Sequence, residues 1–221
     1  MTATGPVKPS TPRGLESNAF EAVRHLALEE DARALLVPKL TIREYVDALA
    51  AAELFSEAVT VLALALPKRE AVWWACLCVR SGATEKEPAP RGSALEAAER
   101  WVKDPSDANR RAAGEAAEAE DHGTAGSLAA LGAFFSGGNL VPESVKAAVP
   151  PPEEGTTQAA ATAVILAAVG GDPEKIEDNY RTSVKLGYDV ARGRQAWCRV
   201  PAGGAPAQAE RSETWAFPRQ G

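Results

Sequence analysis

Long alanine runs, broken at helical spacing by larger apolar residues, constrain this chain more than any other feature. DANRRAAGEAAEAED at 107–121 and TTQAAATAVILAAVG at 156–170 are examples, and 45 of the 221 residues are Ala. Alanine is the best helix former and is depleted in strands, so runs of this kind predict close-packed helices rather than a β-rich fold. Aromatic residues make up only 6% and charged residues 24%. That balance argues against a collagen, a disulfide scaffold, a wholly disordered chain and a membrane protein.

Charge and cysteine content narrow the partners. The formal charge is -6 and the isoelectric point is about 5.2, which argues against nucleic acid as a partner. Three cysteines make no self-contained disulfide framework. Cys76 and Cys78 fall on different sides of a predicted helix, and Cys198 is remote, so reduced and mostly buried thiols are expected. His25 and His122 have no metal-site spacing, so neither a metal nor a cofactor is expected. Residues 1–14 lack the apolar stretch of a secretory signal. The longest apolar run, AVTVLALAL at 58–66, is too short for a bilayer and is closed by Pro67. No membrane association and a cytoplasmic location are the expectation.

The pattern divides the chain into an extended N-terminal arm at 1–14, a main helical domain at 15–137, a Pro/Gly-rich linker at 138–155, a helical hairpin at 156–193 packing on the main domain, and an extended tail at 194–221. Within 15–36 the helical pattern weakens near Glu29-Glu30-Asp31. Thr41 with Glu44 matches a capping box, and LFSEAVTVLALAL at 54–66 is apolar on most sides, as suits a central element. Pro67 fits the first turn of a helix carrying REAVWWACLCVRS at 69–81. Further helices are predicted at 94–104, at 107–121, from a Thr124 cap to Gly137-Gly138, at 156–170 and at 173–193, the last capped by Asp172 ahead of Pro173. The expected architecture is all-α with about eight or nine helices, as an irregular bundle or a short array of helix pairs.

The segments LTIREYVDALAAAELFSEAV at 40–59, LPKREAVWWACLCVR at 66–80, AAERWVKDPSDANRRAA at 97–113 and NYRTSVKLGYDVARG at 179–193 together resemble a family of uncharacterised all-helical bacterial proteins. The REAVWWAC run at 69–76 is the most distinctive piece, and the resemblance spans roughly residues 35–193. It implies an all-helical fold and a bacterial origin. The family has no established activity, so it supplies no functional residue.

The densest unusual cluster lies at 69–78. Trp73 shares a helix face with Arg69 and Cys76, whereas Trp74 points about 100° away. Two adjacent tryptophans cannot bury against the same neighbour, so one Trp in each interface is the structural reading. The functional reading is that a ring closes a groove or anchors a partner. Acidic groups at 29–31 and 115–121 read as solvated helix surface, because no His follows a Glu at three residues. Gly137-Gly138 and Gly170-Gly171 lack a phosphate-binding context. Arg181, Lys185, Arg192, Arg194 and Arg199, extended by Arg110 and Arg111, form a modest basic stretch that would suit an acidic protein segment.

These observations favour a non-catalytic interaction or adaptor protein that docks a protein partner through an apolar groove and extended tails. Arg69, Trp73, Trp74, Trp101 and Tyr180 are its candidate binding residues in the body. Trp197, Trp215 and Phe217 are the candidates in the tail, and a homo-oligomer is compatible with this reading. The alternatives are a structural subunit of a larger bacterial assembly and an enzyme whose Cys or carboxylate groups assemble only in three dimensions.

Overall fold

Side chains that occupy the free amides of a helix's first turn mark many of the starts. Asn18, Thr41, Ser93, Ser106 and Thr124 each accept a hydrogen bond from the amide three residues on, which removes one unsatisfied donor per helix. At Thr41 and Thr124 the arrangement is reciprocal, with Glu44 and Ser127 accepting from the cap amides.

The computed structural model describes residues 14–82, 93–120, 123–141 and 144–195. Its helices are α1 (Ala19–Val23), α2 (Glu30–Ala34), α3 (Ile42–Ala51), α4 (Phe55–Ala65), α5 (Lys68–Gly82), α6 (Ala94–Lys103), α7 (Asp107–Ala119), α8 (Ala125–Phe134), α9 (Gly155–Val169) and α10 (Ile176–Ala191). A single 3-10 turn, Pro173–Lys175, leads into α10 with Asp172 capping it. The fold is all-α. Among the described residues there is no strand, only one antiparallel bridge between Asn18 and Thr41.

The stretch 15–36 forms two five-residue helices, and the second starts at Glu30, where the helical pattern weakens. The first stops where Leu26 turns back to the Val23 carbonyl. α8 stops at Phe134, ahead of Gly137, because Phe135 and Ser136 close the last turn onto Leu131 and Ala133. Gly138 then takes φ +70° beside the Arg110 guanidinium, a conformation and a closeness that a side chain would disturb.

Helices α5 and α9 share the centre of the bundle: α5 packs against α6, α8, α9 and α10, and α9 against α4, α5, α8 and α10, while α4 also packs on α3 and α10. Contacts between elements so distant in sequence belong to a bundle around a central pair, not to a one-dimensional array. The alanine runs allow this closeness. A Cβ added at Gly132 of α8 would lie 3.3 Å from Val72 of α5 and 3.5 Å from the Thr156 carbonyl of α9. Three helix surfaces meet there with room for hydrogens only. On the far side, Tyr188 of α10 donates its hydroxyl to Asp47 of α3 at 2.8 Å.

Candidate functional site

The tryptophans of α5 do point into separate interfaces. Trp74 is fully buried, and its indole N–H donates to the Ser183 carbonyl of α10 at 2.8 Å. Trp73 is buried as well and donates to the Gln195 carbonyl at 2.8 Å, fixing the chain just beyond α10. Trp101 is buried in α6. Tyr180 is buried and stacks on Phe55 with ring centroids 5.4 Å apart, and the Arg181 guanidinium lies 5.4 Å from the Phe55 centroid. Arg69 closes the end of α6 by donating to the carbonyls of Val102 at 2.7 Å and Lys103 at 3.1 Å. Among the described residues these side chains hold helices together at separate places. Trp197, Trp215 and Phe217 lie outside the described residues, as do His122 and Cys198.

Cys76 and Cys78 are buried free thiols. Burial pushes Cys76 well up, with the nearby Glu99 carboxylate adding to the shift. Burial also pushes Cys78 up to about 12, with the Ser183 hydroxyl opposing it. A thiol in such surroundings keeps its proton at neutral pH, and the thiolate is the reactive form. Cys78 borders a pocket of about 120 Å³ together with Ser81, Asn179, Thr182 and Ser183. No histidine lines it; His25 instead meets Glu154 at the start of α9. Among the described residues no group of three or more His, Cys, Asp or Glu side chains is placed to hold a metal ion. None of the described helices is long and apolar enough to cross a membrane.

Two buried charges escaped the sequence reading. Glu99, on the inner face of α6, receives both the Nε (2.6 Å) and Nη2 (2.9 Å) of Arg80, the fork geometry that makes Arg–carboxylate pairs strong. Arg110 is only 3% exposed. Its Nε reaches Asp107 at 2.7 Å, while Nη1 and Nη2 donate to the carbonyls of Phe134 (2.9 Å) and Asn139 (3.1 Å). Arg111 also bonds Asp107, and it reaches the Val141 carbonyl at 3.3 Å. These two arginines grip the chain leaving α8 instead of extending a basic face. Arg181 likewise pairs with Glu177, and Arg194 with Asp189.

The grip places the segment after α8. Asn139 donates to the Ala147 carbonyl and accepts from the Val149 amide, both at 2.8 Å. Leu140 adds a bond to the Val149 carbonyl at 2.9 Å. Segment 138–155, expected as a linker, has no regular element before α9; its first residues are held by Arg110 and Arg111, and Asn139 and Leu140 fold 147–149 back onto them. Among the described residues, four of the five exposed large apolar side chains fall on this segment and on the N-terminal one, Phe20 at 52%, Val37 at 50%, Val145 at 45% and Val149 at 41%; the fifth is Val169, at the end of α9. The His25–Glu154 contact joins the two segments. The only sequence signal for this pair of segments was a Val-rich stretch beside three prolines.

The model of a family described as a family of unknown function (DUF6931) matches residues 45–191, from within α3 to the last residue of α10. Neither a curated protein nor a solved structure matches the chain.

Proposed function

The chain thus belongs to the DUF6931 family of unknown function, and we propose that it is a non-catalytic protein-interaction module, an adaptor working in the cytoplasm of a bacterium. The observation that carries this reading is the placement of its exposed apolar side chains. Phe20 and Val37 on one segment, and Val145 and Val149 on the other, stand in water on two stretches bridged by His25 and Glu154. Scattered single exposures need no explanation, but a concentration on adjoining segments marks a surface that a partner covers.

The candidate tryptophans of the body support this role from within. Trp73 and Trp74 fix α10 and the chain after it on α5, Trp101 is buried in α6, and Trp215 and Phe217 remain anchors that the C-terminal segment would contribute. The reading calls for no cofactor and no metal. It is tested by affinity capture of the intact protein from the source organism, followed by light scattering of the purified complex. A stoichiometric complex is expected with wild type. Phe20→Ser/Val37→Ser should weaken it while leaving the melting temperature within about 1 °C, because both side chains are already exposed. Recovery of nothing but monomer from the intact wild-type protein would count decisively against an interaction role.

A further inference from the structure

The stretch 144–153 is exposed at every position except Pro151, yet it is folded back onto Asn139, whose own carbonyl is held by the buried Arg110 guanidinium. Arg110 and Arg111 fix its approach at Asn139 and Val141. Asn139 clamps Ala147 and Val149. At the far end the Gly155 amide bonds the Pro152 carbonyl at 3.0 Å, and a Cβ on Gly155 would come within 3.1 Å of Phe135, so this end too is pressed against α8.

Covalent chemistry sets the shape of the middle. Each proline fixes φ near −65°, and a residue preceding proline is excluded from the helical region. Val149, Pro150 and Pro151 all precede a proline, and no peptide bond among the described residues is cis. Residues 149–151 are therefore confined to a left-handed polyproline II turn with three residues per repeat, which ends where the Gly155 amide closes a turn onto the Pro152 carbonyl. Within it Pro151 is half-buried, whereas Val149, Pro150 and Pro152 are exposed. One ridge of the turn rests on the body and two face outward.

We propose that residues 145–153 form a recognition epitope for a protein partner that presents an aromatic-lined groove with a basic group at its rim. The groove receives the Val149/Pro152 ridge and Pro150, and the basic group meets the exposed Glu153 that follows them. Such grooves read polyproline II ridges because the ligand is already rigid, and a segment held in its bound shape loses little entropy on docking. Val145, outside the turn, supplies a further apolar contact. The inference rests on the interaction reading above and specifies one surface of it.

The test uses the full-length protein with Val145 replaced by the photo-crosslinker p-benzoylphenylalanine, expressed in the source organism and mapped by mass spectrometry. The crosslink is expected on a different protein, in a peptide bearing Trp or Tyr. An excess of a synthetic peptide of residues 144–155 should reduce it roughly 10-fold, the loss expected when a main anchor is taken away. The same peptide with alanine at 150, 151 and 152 should leave it unchanged. Full-length Pro150→Ala/Pro151→Ala/Pro152→Ala should lose the partner at an unaltered melting temperature; the peptide arm decides the matter if that variant melts early. Crosslinking to the chain's own Trp215/Phe217 peptide, or to a second copy, overturns the proposal. So does a partner captured by wild type but indifferent to both the peptide and the prolines, which would leave the interaction reading standing. Failure to capture any partner with wild type overturns both.

Discussion

Gly187 sits where α10 crosses the core, and replacing it with alanine sets two effects of known size against each other. In a helix interior, alanine is favoured over glycine by about 1 kcal/mol, so propensity alone predicts a more stable protein. The packing opposes it. A Cβ at this position would lie 2.6 Å from Leu62 Cδ2, 3.0 Å from Trp74 Cε2 and 3.1 Å from Trp74 Nε1. Leu62 and Trp74 are fully buried, and Trp74 is tied to the Ser183 carbonyl, so neither has solvent to move into. Forcing an extra carbon into such a site costs about 1–3 kcal/mol. Displacing the indole also weakens a hydrogen bond worth about 0.5–1.5 kcal/mol. The packing cost wins, leaving Gly187→Ala less stable by about 1–2 kcal/mol, or roughly 2–8 °C in melting temperature for a body of this size. Gly114→Ala is the control. Its Cβ would also come within 2.6 Å of a ring, that of Phe134, but Phe134 is only half-buried and can swing outward. Gly114→Ala should show the smaller loss in thermal and urea melts. A rise in melting temperature for Gly187→Ala, or the reverse order of the two variants, would refute the reasoning.

Trp74→Ala empties the space between α5 and α10 and should cost about 3–5 kcal/mol in urea unfolding, whereas Trp74→Phe keeps most of the volume, loses only the indole's bond to the Ser183 carbonyl and should cost clearly less. Arg110→Met removes the donors to the Phe134 and Asn139 carbonyls at about 1–3 kcal/mol, and hydrogen exchange should quicken across 139–149. Hydrogen bonds from Arg110 and then Arg111 hold the Asp107 carboxyl below the usual carboxylate range. Stability from this group is therefore present above the unfolded carboxylate pKa and lost as pH falls through the folded one; in Arg110→Met the NMR titration of Asp107 should move up. The buried thiols run the other way. Both are raised in the fold, so their contribution is complete below about pH 8.5, the unfolded thiol value, and is lost as pH rises from there. The urea midpoint should fall between pH 7 and 9.5, and iodoacetamide at pH 8 should label Cys76 and Cys78 only after denaturation.

What was legible in the sequence was local. Thr41 and Glu44 are three residues apart and their capping box forms as the spacing says. Adjacent tryptophans separated by about 100° on a helix must face different neighbours, and they do. Arg110 was not legible, because its partners are carbonyls 24 and 29 residues downstream, and a carbonyl has no identity in a sequence. The same blindness hides the bonds inside 138–155: proline and glycine announce the lack of regular structure but say nothing of Asn139 bonding across to Ala147 and Val149. Gly187 is visible as a glycine in a helical pattern, yet its reason lies in Leu62 and Trp74, two other helices away. The exposure of Val145 and Val149 was equally illegible, since surface position cannot be assigned to a segment whose attachment is unknown.

Alanine-rich interfaces also leave a problem that apolar packing does not solve. Alanine contacts bury little area per residue and are non-directional, so they permit helices to slide past one another at small cost. Register has to come from elsewhere, and the structure supplies it at helix ends. Arg69 closes α6, Lys68 bonds the Ser136 carbonyl beyond α8, Arg110 bonds the end of α8, and Asn179 bonds the Ala168 carbonyl of α9 at 3.0 Å. Each takes up a carbonyl that its own helix cannot satisfy, and each donor comes from a different helix, so a slide of one turn would break it. α9 is the sharpest case, since it is rich in alanine and has no basic residue in its last turn. Asn179→Ala should lower global stability by only about 1 kcal/mol, the worth of one such bond. Locally, amide exchange should accelerate over the last turns of α9 and in the 170–175 connection. If exchange in α9 is unchanged, or if it quickens uniformly along all the helices, the end contacts do not set the register and the alanine surfaces must carry it themselves.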